Sequence, residues 1–295
     1  MKSRIVFLGA CALLLGLGFM LPQQNTEVKI TATHVAGTVY MLEGQGGNIG
    51  ISAGDDGVLM IDDQFARLSE KIRAAIRELN KGDIRLLINT HLHGDHTGGN
   101  AFFGKEAVIM AHENVRKRMS AEQRRGERVI PPAAKEALPV VTFDEGLMVH
   151  FNDEEIQVRH LPTGHTDGDA IVYFKKANVV HLGDDFFSGR FPFVDIDSGG
   201  DPQGLLKNIT QLIEELPEDV QIIPGHGPLS TLEDLKTYRT MLEETMATVR
   251  SGIAAGKSLE ELQKAGLGEK WQSWSWQFIS EERWIAILHR GLTGK

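Results

Sequence analysis

Hydrophobic residues along the chain fall mostly in short runs that are separated by polar residues and glycines. Short apolar runs bounded by turn residues are typical of buried β-strands. The predicted strands are two short segments within Val28–Leu42, then Asn48–Ala53, Val58–Ile61, Ile84–Ile88, Ala107–Ala111, Val140–Phe143, Leu147–Phe151, Ile156–Leu161, Ala170–Phe174, Val179–Leu182 and Val220–Ile223.

Other segments carry apolar residues at helical spacing, namely Ala66–Asn80, a stretch near Asn114–Ser120, and Leu205–Leu216. Capping boxes at Ser230-x-x-Glu233 and Ser258-x-x-Glu261 predict two more helices, the first reaching to about Arg250. Two strand-rich halves, each bounded by helices, predict an α/β fold with two sheets packed face to face and helices outside.

The N-terminus has the layout of an export signal. Its first four residues, Met1–Arg4, include two basic residues. The segment Ile5–Leu21 then carries no charged residue and is followed by Pro22. We expect residues 1–24 to be a signal peptide, residues 25–295 to be the mature domain and the protein to be exported to the periplasm. An uncleaved membrane anchor is the alternative, because the apolar run is near the lower length limit for a membrane span.

Composition limits the chemistry available to the 295-residue chain. Cys11 is the sole cysteine and lies in the N-terminal segment, so any metal site in the mature domain must use His, Asp and Glu. A formal net charge of −9 disfavours binding to a phosphate backbone, so nucleic acid is not an expected partner. We expect a small-molecule substrate, and membrane contact only through an uncleaved N-terminal segment.

One loop carries most of the candidate chemistry. After the predicted strand Ile84–Ile88, the segment Thr90–Asn100 places His91, His93, Asp95 and His96 close together, and its glycines let the backbone turn. Such a loop can supply ligands to two metal ions. Imidazole and carboxylate suit zinc, with iron or manganese possible. A polar surface loop is the alternative explanation.

Three further pieces each place one possible ligand beside a glycine near a strand end. They are Gly164-His165, Gly183-Asp184 and Gly225-His226. Each alone is a weak signal, because a single histidine is more often structural. Together, and in this order after the histidine loop, they form a strong pattern.

This set of motifs, spread over Val28 to His226, resembles the metallo-β-lactamase superfamily of hydrolases. The resemblance implies a four-layer αβ/βα sandwich, here with a helical C-terminal part over residues 229–295. It also implies a dinuclear zinc centre whose bridging hydroxide attacks a lactam, lactone, ester or thioester carbonyl. The implied ligands are His91, His93 and His165 for the first metal and Asp95, His96 and His226 for the second, with Asp184 bridging them and Asp95 as the catalytic residue.

Two positions depart from the best-known β-lactamases, in which a Cys bridges the metals and a Lys follows three residues later. Here these positions hold Asp184 and Phe187. We therefore expect weak β-lactamase activity. The alternatives are a true β-lactamase with Asp in place of Cys, a mononuclear iron redox enzyme similar to the persulfide dioxygenases, and a non-catalytic binding module of the same fold.

Three regions have no assigned role at this stage. The basic cluster Arg116–Arg128, within the irregular insertion 116–139, is interpreted as a solvated helix face, with an anion-selective lid as the alternative. The tryptophans of Trp271–Trp284 are interpreted as part of a helical cap, with a substrate wall as the alternative. The phenylalanines that follow Asp184 are predicted to form an apolar pocket rim, namely Phe186, Phe187, Phe191 and Phe193.

Overall fold

The computed structural model describes residues 28–125 and 128–294. Within these ranges, no helix combines the length and the apolar character that a membrane crossing requires. The predicted export segment, residues 1–24, lies outside the described residues and stays a prediction.

The strands form two large sheets and one small hairpin. Their bounds are β1 Thr31–Ala36, β2 Val39–Glu43, β3 Ile49–Gly54, β4 Gly57–Ile61, β5 Ile84–Ile88, β6 Val108–His112, β7 Gln123–Arg125, β8 Arg128–Ile130, β9 Val141–Phe143, β10 Gly146–Phe151, β11 Glu154–His160, β12 Ala170–Phe174, β13 Val179–His181, β14 Gln221–Ile223 and β15 Ser230–Thr231. The first sheet has the order β1-β2-β3-β4-β5-β6-β9, and the second has the order β10-β11-β12-β13-β14-β15.

Each sheet changes from antiparallel to parallel pairing in its interior. In the first sheet, β1 to β4 are antiparallel, and β4, β5, β6 and β9 are parallel. In the second sheet, β13 and β14 form the parallel pair. The wholly buried run of β4 agrees with this, since a strand covered on both faces is apolar throughout, whereas β5 exposes Arg85.

The helices are α1 Ser69–Leu79, α2 Gly94–Thr97, α3 Asn100–Phe103, α4 Glu113–Met119, α5 Pro202–Glu215, α6 Leu232–Ala254, α7 Leu259–Ala265 and α8 Glu281–Thr293. The longer helices, α1, α5, α6 and α8, pack on the outer faces of the two sheets, and the short α2 lies in the histidine loop. One apolar core lies between the two sheets, a second between the first sheet and α1, and a third between the second sheet and α5, α6 and α8. The predicted four-layer αβ/βα sandwich with a helical C-terminal region is therefore confirmed.

Two local predictions were wrong. The helix α6 is capped by Thr231 and Asp234, which form the reciprocal capping box, rather than by Ser230 and Glu233. The Ser230 side chain instead bonds to Ser188 Oγ and to the Pro228 carbonyl oxygen, so it is not available as a cap. The insertion 116–139 contains the β7–β8 hairpin, which the sequence analysis did not predict.

Candidate metal centre

The candidate site lies where the parallel strands of both sheets end. Ile61 of β4 pairs with Ile88 of β5, and His181 of β13 pairs with Ile223 of β14. Because parallel strands present their carboxyl ends at the same edge, the loops that follow them converge. The structure thereby brings all seven sequence-predicted side chains into one cluster.

The first group of possible ligands is His91, His93, His165 and Asp184, all buried, with one ligand atom of each within 4.8 Å of the others. Burial lowers the pKa of His165 to about 4, and burial together with nearby His96 lowers the pKa of His91 well below its ordinary value. Both imidazoles are therefore neutral at pH 7, the form in which a ring nitrogen can bind a metal.

The second group is Asp95, His96 and His226, again within 4.8 Å of one another. Burial opposes the protonation of both imidazoles, but the carboxylate of Asp184 outweighs it. The pKa of His226 is raised to about 9, and that of His96, which also faces Asp62, is raised well above its ordinary value. A cation bound here would take the place of these protons.

Asp184 lies between the two groups and divides its oxygens between them. Its Oδ2 is 3.7 Å from His91 Nε2 and 3.5 Å from His165 Nε2. Its Oδ1 is 3.1 Å from His96 Nε2 and 3.4 Å from His226 Nε2. Burial would raise the pKa of Asp184, but these imidazoles hold it well below the ordinary value, so the group is a carboxylate.

Several buried polar atoms of the cluster lack a partner within the described chain. His91 Nε2, His96 Nε2 and Asp184 Oδ1 accept or donate no aligned hydrogen bond, although they point towards each other. Leaving a buried polar atom unpaired costs about 1–3 kcal/mol. The convergence of three such atoms therefore indicates a site that binds a cation. The donors are nitrogen and oxygen only, and these residues fit a divalent metal site.

The opposite sides of the imidazole rings are held in place by acceptors. Asp195 Oδ2 is 2.8 Å from His93 Nε2, and Asp62 Oδ2 is 2.7 Å from His96 Nδ1. His165 Nδ1 lies 2.6 Å from the backbone carbonyl oxygen of Phe193. Such contacts fix the tautomer of each ring and direct its other nitrogen into the cluster.

Asp62 also fastens the histidine loop. It follows β4 with a left-handed backbone, φ 62°, which is uncommon for a residue other than glycine. Its carboxylate accepts hydrogen bonds from the Thr90 backbone N–H at 2.8 Å and from Thr90 Oγ1 at 2.7 Å. The strained backbone of Asp62 is thus compensated by three contacts to the loop that carries the ligands.

Two glycines allow the chain to approach the cluster closely. A Cβ at Gly47 would lie 2.1 Å from His96 Cε1, and one at Gly225 would lie 2.1 Å from Asp184 Oδ1. Any side chain at either position would displace a possible ligand.

Other polar residues near the cluster make structural contacts. His181 Nε2 bonds to the Asn48 carbonyl oxygen, and Asp169 accepts from the backbone and hydroxyl of Thr166. Arg118 forms a bidentate pair with Asp167 at 2.7 and 2.6 Å, which ties part of the basic cluster to the loop after His165.

The predicted phenylalanine rim was only partly right. Phe186 and Phe191 are fully buried in the core of the second half, and Phe187, also buried, stacks on His226 with ring centroids 5.1 Å apart. Phe193 is the one of these four that is partly exposed beside the cluster, 5.7 Å from the His93 ring.

Replacing Asp195 with Asn is expected to weaken metal binding at the first group by about 10–100-fold, because the acceptor that orients His93 is lost. The measurement is zinc competition against a chromophoric chelator. Asp197→Asn is the matched control, because Asp197 is exposed and pairs with Arg290. Equal zinc affinities for Asp195→Asn and the wild type would show that His93 needs no such support.

A four-layer sandwich with a buried His and Asp cluster at its strand ends defines a metal-dependent hydrolase. The model of the metallo-beta-lactamase superfamily matches residues 33–226, which include every residue of the cluster. The chain belongs to the metallo-β-lactamase superfamily.

Individual relatives are distant. An uncharacterized protein of Aquifex aeolicus is 32% identical over 108 residues, which cover 37% of this chain and 50% of that protein. Hydroxyacylglutathione hydrolase GloC of Haemophilus influenzae is 28% identical over 179 residues, 59% of this chain and 82% of GloC. A metallo-beta-lactamase from Pontibacter korlensis has a similar fold, with a TM-score of 0.61 at 17% identity over 73% of this chain and 99% of that one.

Proposed function

We propose that this chain is an exported dinuclear zinc hydrolase that cleaves the bond between the acyl carbon and the O, S or N atom of an ester, thioester, lactone or lactam. The observation that carries the proposal is the divided carboxylate of Asp184, whose Oδ2 faces His91 and His165 while its Oδ1 faces His96 and His226. A carboxylate shared in this way serves two cations rather than one.

Zinc is the proposed metal, because imidazole and carboxylate donors suit it. Iron and manganese are the alternatives. His91, His93 and His165 would hold one ion, Asp95, His96 and His226 the other, and Asp184 both. When bound, two such ions polarise a carbonyl oxygen and lower the pKa of water.

Asp95 would be the residue that acts on the attacking water. Its side chain is 28% exposed, whereas that of Asp184 is 5% exposed, so it is open to a molecule entering the site. Burial raises its pKa, but His96 and the contact with His226 outweigh this and lower the pKa to about 2. Asp95 is therefore a carboxylate at neutral pH, and its oxygens can orient the water by accepting a hydrogen bond.

The relatives and the position of Phe187 bear on the substrate. GloC is named as a hydrolase of hydroxyacylglutathione, which is a thioester. Phe187 is buried against His226, so no cation stands at the position where the familiar β-lactamases offer Lys to the drug carboxylate. We therefore favour esters and thioesters over β-lactams.

The proposal that the protein is exported rests on the basic and apolar N-terminal segment alone.

The test is a comparison of kcat/KM for a neutral aryl ester, an acyl thioester, a lactone and benzylpenicillin. We expect the ester or thioester to exceed the penicillin by about ten- to a hundred-fold, the factor that a charged hydrogen bond to the drug carboxylate would supply. Penicillin turnover near about 10⁶ M⁻¹s⁻¹ would instead identify a β-lactamase that uses Asp184. A single bound iron without hydrolysis of any substrate would indicate the redox alternative.

A further inference from the structure

Three aromatic side chains form a continuous surface beside the metal centre. The Phe193 ring lies 5.7 Å from the His93 ring and 5.9 Å from the His165 ring. The Trp276 ring lies 5.8 Å from the His226 ring, and Phe278 is 5.6 Å from both Phe193 and Trp276. This aromatic wall, Phe193, Trp276 and Phe278, therefore extends from the first group of ligands to the second.

A short turn near the C-terminus brings two members of the wall to the site. The Trp276 backbone N–H donates to Ile279 O at 3.0 Å, and its Nε1 donates to Phe191 O at 2.9 Å. Phe191 N donates in return to Trp274 O at 3.0 Å, and Ile279 is fully buried. The turn is thus fixed to the loop that follows Asp184, which holds its aromatic rings over the cluster.

The aromatic wall is only partly covered by the protein, with Phe193 and Trp276 half-buried. Phe278 is 47% exposed and is the only aromatic residue among the exposed large hydrophobic residues of the described chain. Exposed apolar surface next to a site of polar groups is typical of a binding surface, because a ligand covers it.

Two guanidinium groups lie over the aromatic wall. Arg190 Cζ is 5.3 Å from the centre of the Trp276 ring, and Arg283 Cζ is 4.3 Å from Phe278 and 5.4 Å from Phe193. Each arginine thus contacts a ring that itself lies beside a possible metal ligand, Trp276 beside His226 and Phe193 beside His93. Stacking on a ring leaves the N–H edges of a guanidinium free to donate.

Neither arginine has an acidic partner in the described ranges. Arg190 makes no hydrogen bond or ion pair there, and the Arg283 side chain donates only to the Phe278 carbonyl oxygen, from Nη1. Some other arginines pair with carboxylates, as Arg118 does with Asp167 and Arg159 with Glu215. In a chain of net charge −9, two arginines without acidic partners at the mouth of one site point to an anionic ligand.

We propose that the aromatic wall with Arg190 and Arg283 is a substrate-recognition subsite for an ester or thioester whose apolar body ends in an anionic group. The apolar body would cover the wall while the reacting carbonyl lies at the metal cluster. The anion would then reach the arginines one ring further out. This inference rests on the proposed hydrolase function.

The subsite is distinct from the one that β-lactams need. In penicillins the carboxylate lies two bonds from the lactam nitrogen, next to the reacting bond, whereas the two arginines contact the wall rather than the possible metal ligands. The subsite therefore selects a remote anion and leaves β-lactam affinity low.

The experiment compares two thioesters of equal length, with 4-carboxyphenylpropanoyl and 4-carbamoylphenylpropanoyl as acyl groups. The wild type is expected to prefer the carboxylate substrate about tenfold in kcat/KM, largely through KM. Arg190→Gln is expected to lower turnover of the carboxylate substrate about tenfold. The more exposed Arg283→Gln is expected to lower it about threefold. Both variants should lose less activity on the carboxamide substrate than on the carboxylate substrate, and their metal content should equal that of the wild type.

Arg77→Gln is the matched control, since Arg77 is an exposed residue of α1 on the outer face of the first sheet. Equal wild-type rates on the two substrates, or equal losses on both in the arginine variants, would overturn the subsite. Loss on both substrates would indicate that the arginines only support the turn. Failure of the wild type to hydrolyse either thioester would instead contradict the proposed function.

Discussion

Asp184→Asn is expected to reduce kcat/KM on the order of a thousandfold, equivalent to about 4 kcal/mol of transition-state stabilisation. The amide keeps the shape of the side chain but removes the charge that faces His91 and His165 on one side and His96 and His226 on the other. Both proposed metal positions would thereby lose their shared anionic ligand. Elemental analysis should fall from close to two metal ions per chain to one or fewer.

The neighbouring Asp185→Asn is the matched control for this result. Asp185 is equally buried, and burial raises its pKa to about 8, so its side chain is largely protonated at pH 7. An amide replaces a neutral acid there with little change in charge, and activity should stay within a few fold. If the Asp184 variant keeps two metal ions and full activity, the shared-carboxylate centre is refuted.

His226→Ala and Asp95→Ala are expected to release one metal ion while the other stays bound, and to lower kcat/KM by about a hundredfold or more. These residues belong with His96 to one group, whereas the other group keeps His91, His93 and His165. His165→Ala should show the opposite selectivity.

Stepwise zinc titration followed by elemental analysis distinguishes the two sites. His150→Ala on β10 serves as the control, because this histidine is exposed and remote in the sheet from the converging strand ends. Loss of both ions to the same extent in the His226, Asp95 and His165 variants would contradict the division and would show that the sites assemble together.

The sequence predicted the sheets well because their buried strands are nearly continuous apolar runs. Ile84–Ile88 was predicted with its observed bounds, and Ala170–Phe174 likewise. The β7–β8 hairpin was missed because Gln123–Arg125 and Arg128–Ile130 carry no alternation of apolar and polar residues. The charged residues of these two segments give no sign that the segments pair as strands.

The possible metal ligands were predictable because four lie in one histidine-rich loop and the other three each follow a glycine near a strand end. The residues that orient these ligands could not be predicted from the sequence. Asp62 had a signal, since it directly follows a buried strand that is adjacent to β5, but its contact with His96 depends on sheet order. Asp195 lies in a loop with no local pattern, and only the tertiary fold brings it to His93.

The aromatic residues show the same limit. An apolar side chain carries no sign of which surface it covers, so Phe186 and Phe191 could be either core or pocket from sequence. Trp276 was assigned to a helical cap, yet a turn places it beside His226. Long-range hydrogen bonds to Phe191 decide that position, and the sequence around Trp276 does not encode them locally.

The seven converging side chains come from both halves of the sandwich. His91, His93, Asp95 and His96 follow β5 of the first sheet, whereas His165, Asp184 and His226 follow strands of the second. Bound metal would therefore also cross-link the two sheets. Because the unfolded chain does not hold these ligands together, metal binding would increase the free energy of unfolding. At a free metal concentration a thousand times the dissociation constant, such a ligand adds about 4 kcal/mol to the free energy of unfolding. Metal supply would then govern the lifetime of the folded protein as well as its catalytic rate.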